Sequence, residues 1–270
     1  MASIPISRSG LDAVRWGTAA ILVVLAICLA TPRVQAQADD APKILKAMSD
    51  YVAGQKTISA TFNSDIEVIT PELQKIQFDA SGQLLLNRPD KLRASRTGGY
   101  ADVELVFDGK TATILAKHLN AFAQIDAPGS TDHLIDRLRT DHAVEAPGAD
   151  LLMSHSYDEL MSDVVDARHI GRGVVDGVEC EHLAFRGEET DWQIWIEVGP
   201  RPIPHKYVIT SKAVTGGPQY TLRISDWKTD APVAADAFAF KPPANANKVD
   251  AKELADIDEV PAVVVAGGRK

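Results

Sequence analysis

What this sequence lacks is an apolar run long enough for a membrane-crossing helix, more than two cysteines, and a surplus of basic residues. Its most apolar stretch, Thr18 to Ala30, holds only about a dozen residues, well short of the roughly 20 that a membrane-crossing helix needs. It has two cysteines, Cys28 and Cys180. Acidic residues outnumber basic ones, 37 against 28, which argues against nucleic acid or an anionic membrane surface as a partner.

The short apolar stretch reads as an address. Arg8 and Arg15 stand before it and Val34-Gln35-Ala36 after it, the pattern of a cleavable export signal. The expectation is a signal peptide over 1–36 cut after Ala36, a periplasmic location, and no stable transmembrane anchor after processing. Ile27 is bulky and branched where a lipidated Cys28 would need a small neighbour, which argues against a lipid anchor. Cleavage removes Cys28 and leaves Cys180 without an internal partner, so stability has to come from a packed core even in an oxidising compartment. It also leaves 25 basic against 36 acidic residues, a net charge of −11. The remaining length suits one large β domain, expected as a monomer.

The mature chain opens on Asp39-Asp40-Ala41-Pro42, a helix start with a capping carboxylate. Ile44, Leu45, Met48, Tyr51 and Val52 then recur at helical spacing up to Gly54. After that the period drops to two, as for strands with one buried face. Ile58, Ala60, Phe62, Ser64, Ile66 and Val68 alternate with polar neighbours, and Ile76, Phe78, Ala80, Gly82, Leu84 and Leu86 answer them after Thr70-Pro71-Glu72. Strands follow over Leu92–Arg96, Ala101–Phe107, Thr111–Leu115 and Phe122–Ile125, with Asp108-Gly109 as a short hairpin turn. Thr131 and Ser156 are placed to cap two central helices, the second reaching about Val165. Five more strands are expected between Ala167 and Trp227, with an Asp176-Gly177 turn between the first two. Residues 244–270 lack large apolar side chains and are expected to be a disordered tail.

The order of these elements, with Arg88-Pro89-Asp90-Lys91-Leu92-Arg93, Phe107-Asp108-Gly109-Lys110-Thr111, Cys180 to Arg186, Asp191 to Glu197, Pro204 to Thr210 and a closing Phe238-Ala239-Phe240-Lys241-Pro242-Pro243, resembles an uncharacterised family of predicted periplasmic proteins related to the LolA and LolB lipoprotein carriers. The resemblance runs from about Ala41 to Pro243. It implies a mainly β (α+β) domain over 37–243, a curved antiparallel half-barrel whose concave face is covered by helices. In the carriers the space beneath the helices holds lipid chains, but no carrier's ligand residue maps onto this sequence.

Phe62, Ile66, Phe78, Leu84, Leu105, Phe107 and Trp192 are the expected lining of an apolar cleft for a lipid or acyl chain. Trp192 and Trp195 point to opposite faces of one strand, so one enters the core and the other needs a different cover. Cys180 and His182 share a strand face, but a lone thiol there reads as a small core residue rather than a nucleophile. The seven histidines have no zinc-like spacing, the acidic runs no calcium-loop spacing, and no phosphate loop or nucleophile elbow occurs. The sequence thus points to a binding or carrier protein without catalytic residues, cofactor or metal, its partner an apolar ligand. The alternative is an envelope sensor or adaptor that docks another periplasmic protein.

Overall fold

A computed structural model describes residues 40–142, 144, 146–254, 257–261 and 264. The expected export signal, Cys28 and the cut after Ala36 lie outside the described residues. Helix α1 (Ala41–Ala53) is followed by strands β1 (Thr57–Ile69), β2 (Lys75–Asn87), β3 (Lys91–Gly98), β4 (Asp102–Phe107), β5 (Thr111–Ala116) and β6 (Ala121–Asp126). Helices α2 (Thr131–His142) and α3 (Ser156–Met161) come next. Strands β7 (Asp166–Val175), β8 (Val178–Arg186), β9 (Thr190–Glu197), β10 (Pro204–Ser211) and β11 (Gln219–Thr229) then lead to a short β12 (Asn247–Lys248).

The strands form one unclosed sheet in the order β12-β6-β5-β4-β3-β2-β1-β11-β10-β9-β8-β7. Two meanders are joined edge to edge where β1 meets β11. Because β6 and β7 lie on opposite flanks, the chain between them has to travel across the sheet, and α2 and α3 are built on that crossing. Their apolar faces, with Leu134, Leu138 and Leu160, share one core with Leu45, Met48 and Val52 of α1 and with the inner side chains of the sheet. Register shifts at Ser59/Thr61, His169/Gly171 and Pro204/Lys206 mark bulges, which bend and twist a sheet locally. The mainly β class, the unclosed antiparallel sheet and the helices over one face are as the resemblance implied.

Side-chain alternation sets the register. Ile58 pairs with Leu86 and Val68 with Ile76, so every inward residue of β1 meets an inward residue of β2. Asp176 and Gly177 both have positive φ, 48° and 85°, the conformation a two-residue type I′ hairpin turn requires.

Three local expectations are corrected. Asp40 makes no side-chain cap on α1; its carboxylate lies 3.9 Å from Lys43 Nζ instead. Thr131 is already helical with a buried, unpartnered hydroxyl, and Ser130 Oγ accepts the His133 N–H at 3.2 Å. Likewise Ser156 is the first helical residue of α3, which stops at Met161. Val165 lies just before β7, and its N–H donates to Arg186 O at 2.8 Å.

The tail differs more. Residues 247–248 extend the sheet in parallel to β6, with Asn247 donating to Asn120 O and Val249 to Phe122 O, both at 2.9 Å. Leu254 is buried and Ile257 packs on the core. A free sheet flank supplies backbone donors and acceptors, so order here needs few apolar side chains.

Candidate functional site

Inner-face side chains fall into rows that run across the strands. One row is Trp192, Ile209, Tyr220, Ile66 and Phe78, contributed in turn by β9, β10, β11, β1 and β2. Over its middle three members lies a cavity of about 420 Å³ lined by Ile66, Ile209 and Tyr220 from the sheet and by Arg139, Ala146 and Pro147 from α2 and the segment after it. Glu67, Ser211, Pro218 and Gln219 complete the wall. Leu73 and Val214, 69% and 45% exposed, stand on the β1–β2 and β10–β11 turns, the two hairpins whose ends frame this space.

Three polar residues of the wall, Arg139, Glu67 and Gln219, have partners in the protein. Arg139 binds Asp150. Glu67 accepts from Lys75 Nζ at 2.8 Å and from the Gln219 N–H at 2.9 Å, and Gln219 Nε2 donates to Thr210 Oγ1 at 3.0 Å. A wall whose charged groups already have partners presents mostly aliphatic and aromatic surface to an occupant.

All seven expected cleft residues lie on the inner face, yet they do not share one space. Phe107 is fully buried, and Trp192 stacks on Phe185 with ring centroids 3.9 Å apart and meets Tyr207 edge-on at 5.7 Å. Those two fill the core. Phe62, Leu84 and Leu105 are half-buried against it. Phe78 stands at the end of the cavity row, edge-on to Tyr100 at 5.7 Å. Ile66 alone of the seven lines the cavity. Ile209 and Tyr220 were missed, although their alternation within β10 and β11 marks both as inward.

Cys180 is wholly buried and its thiol donates to Val178 O at 3.5 Å. Burial first, then the nearby Glu197 charge, push the thiol up to about 11, so thiolate is scarce at neutral pH. His182 instead bonds Gln193 Oε1 through Nε2 at 2.9 Å and stacks on Trp195 at 4.1 Å and 12°. Lys206 Nζ lies 4.7 Å from the same indole centroid. The outward tryptophan is therefore covered by an imidazole and an ammonium. Among the described residues, no group of three or more His, Cys, Asp or Glu could hold a metal ion, and no helix is long and apolar enough to cross a membrane.

A family model for a predicted periplasmic protein, DUF2092, matches residues 41–251. The chain belongs to the DUF2092 family. No curated protein matches it. Among solved structures this DUF2092 protein is similar to an uncharacterised conserved protein from Thermus thermophilus, with 13% identity and TM-score 0.48 over 78% of this chain and 99% of that one. It is also similar to the Mycobacterium tuberculosis lipoprotein LppX, with 14% identity and TM-score 0.38 over 73% and 99%. A third likeness is to a LolA superfamily protein from Nitrosomonas europaea, with 11% identity and TM-score 0.36 over 74% and 97%.

Beyond the matched residues, the DUF2092 chain lays its tail on the inner face. Ser64 Oγ donates to Glu259 Oε1 at 3.1 Å, Arg96 Nη1 lies 3.6 Å from the same oxygen, and Arg96 Nη2 donates to Ile257 O. Arg96 occupies an inward position on β3, in register with Gly82 and, one strand further, with Phe62. Tyr220 is close enough that, after burial, the Glu259 charge is the next cause holding its phenol above the ordinary range.

Proposed function

We propose that this protein is a periplasmic binding or carrier protein that holds an apolar chain, a lipid or the acyl group of a lipoprotein, between its sheet and the segment after α2. The observation that carries this reading is the cavity of about 420 Å³ whose two charged wall residues, Arg139 and Glu67, are already paired. Its volume lies within the roughly 300–1,000 Å³ typical of small-molecule sites. An aliphatic chain entering it releases water from apolar surface, worth about 0.8 kcal/mol for each buried methylene. In this reading residues 1–36 are an export signal removed after Ala36, and the domain over 37–243 acts as a monomer without catalysing a reaction.

Native mass spectrometry of protein purified from its own periplasm tests the reading. A retained species with the mass of a lipid or fatty acid is expected, and its release should open the cavity to a fluorescent fatty acid. Protein that carries no such mass and binds neither that probe nor ANS overturns it.

A second reading, an adaptor that docks another envelope protein, draws on β7. That strand flanks the sheet and presents Ile170 and Val174 at 52% and 71% exposure. Capture of one stoichiometric protein partner, lost on Val174→Glu, would favour it.

A further inference from the structure

On the inner face Ser64 lies in the row between that of Arg96 and that of Tyr220. Ser64 is fully buried, and its row neighbour across β2 is Ala80, followed by Gly98 on β3. Gly82 separates Phe62 from Arg96 in the adjoining row. The Phe62 ring covers Gly82, but Ala80 and Gly98 leave a trough beside Ser64, and the carboxylate against the hydroxyl and the guanidinium is Glu259, only 13% exposed in its side chain. A charge held that deep on an apolar surface needs matched donors. Here they come from residues distant in sequence, and Arg96 Nε still has no hydrogen-bond partner among the described residues.

The trough and the cavity lie over adjoining rows of the same sheet face. Ile66 follows Ser64 by two residues on the same face, and Tyr220 both lines the cavity and stands beside Glu259. A carboxylate at the Glu259 position would have an apolar chamber one side chain away, which is the layout of a fatty acid: one anionic head and one aliphatic chain. The tail is held by the two paired residues of β12 and by Leu254 and Ile257, which pack on the core.

We propose that Ser64, Arg96 and Tyr220 form a carboxylate site that Glu259 of the chain's own tail occupies, and that a free fatty acid displaces this carboxylate, seating its head there and its chain in the cavity. The inference rests on the carrier reading and specifies its ligand class. Glu259 acts as a tethered competitor, and tethering on a short linker corresponds to an effective concentration of the order of millimolar. The apparent affinity for the acid is lowered by the fraction of molecules in which the tail is seated.

The test uses the full chain and two fluorescent probes, cis-parinaric acid and its methyl ester, on the native protein and on the Glu259→Gln, Arg96→Met and Ser64→Ala variants. The native protein should prefer acid over ester. Glu259→Gln should tighten acid binding about tenfold with a smaller change for the ester. Arg96→Met should erase the preference, and Ser64→Ala, a milder change that keeps the fold if Arg96→Met does not, should reduce it about threefold. Equal affinity for acid and ester in every folded variant, or no gain from Glu259→Gln, overturns the carboxylate site while leaving a carrier of neutral chains. If neither probe binds any variant, the carrier reading falls and this proposal with it.

Discussion

Phe62 lies so close over its cross-strand neighbour Gly82 that a β-carbon on Gly82 would fall 2.2 Å from the phenyl Cζ and 2.2 Å from Ser95 O. Glycine is required there by proximity on both sides. Gly82→Ala should therefore destabilise the protein by about 3 kcal/mol, at the upper end of what overpacking costs, read as a lowered urea midpoint. Because Ser95 O is backbone, adding Phe62→Ala should not restore stability, and a rescued double variant would contradict this account.

The cavity can be filled without touching the core beneath it. Ile66→Trp should place an indole in the space over Tyr220 and Ile209 while the sheet stays intact by circular dichroism. Displacing even two methylenes of a bound chain costs about 1.6 kcal/mol, so affinity for a labelled fatty acid should drop more than about tenfold. Unchanged affinity would put the ligand elsewhere.

Alkaline stability should depend on Cys180. Unfolded, the thiol titrates near its ordinary value of 9.0, and in the folded protein near about 11. The unfolded chain thus sheds its proton first, and stability present below pH 9 is lost as pH climbs from 9 to 11, by about 2–3 kcal/mol. The buried phenols of Tyr207 and Tyr220, both raised first by burial, steepen the fall at still higher pH. Cys180→Ala should flatten the part between 9 and 11 in urea titrations, and alkylation of the native thiol at neutral pH should be slow.

At the acid end the group to watch is His182. Burial lowers its pKa most, the Gln193 hydrogen bond opposes this, and the Lys206 charge lowers it further. Its contribution to stability is present above the ordinary 6.5 and is lost as pH falls below that value. Lys206→Met should raise the His182 pKa in an NMR titration, and it should also uncover Trp195, seen as a red-shifted emission. A His182 pKa that stays put would mean that the ammonium does not reach the ring.

Period-two alternation made the two strands of the β1–β2 hairpin and their inward residues legible, since slipping by one residue would turn Phe62 and Ile66 outward; the register itself comes from the pairing of Ile58 with Leu86. The helix starts were displaced by one residue because Ser130-Thr131 and His155-Ser156 offer adjacent groups that can each begin a helix, and only tertiary packing chooses between them. Ile66, Phe78 and Trp192 were named from strand pattern and do fall on the cavity row. Ile209 and Tyr220 join them only through pairing of β1 with β11 and of β10 with both its neighbours, which no local pattern encodes. Two polar residues at inward positions, Ser64 and Arg96, were visible in the alternation as exceptions. Their partner Glu259 was hidden in a segment whose composition reads as solvated.

The parallel ladder of β12 has two rungs, Asn247 to Ala121 and Lys248 to Phe122. Breaking so short a ladder costs few hydrogen bonds, so it belongs among the first parts of the sheet to open, while Leu254 and Ile257 further along stay packed on the core. Amide exchange should reach Asn247 and Val249 long before it reaches β1 or β2, which makes this ladder a latch that thermal motion can lift while the body of the sheet stays shut.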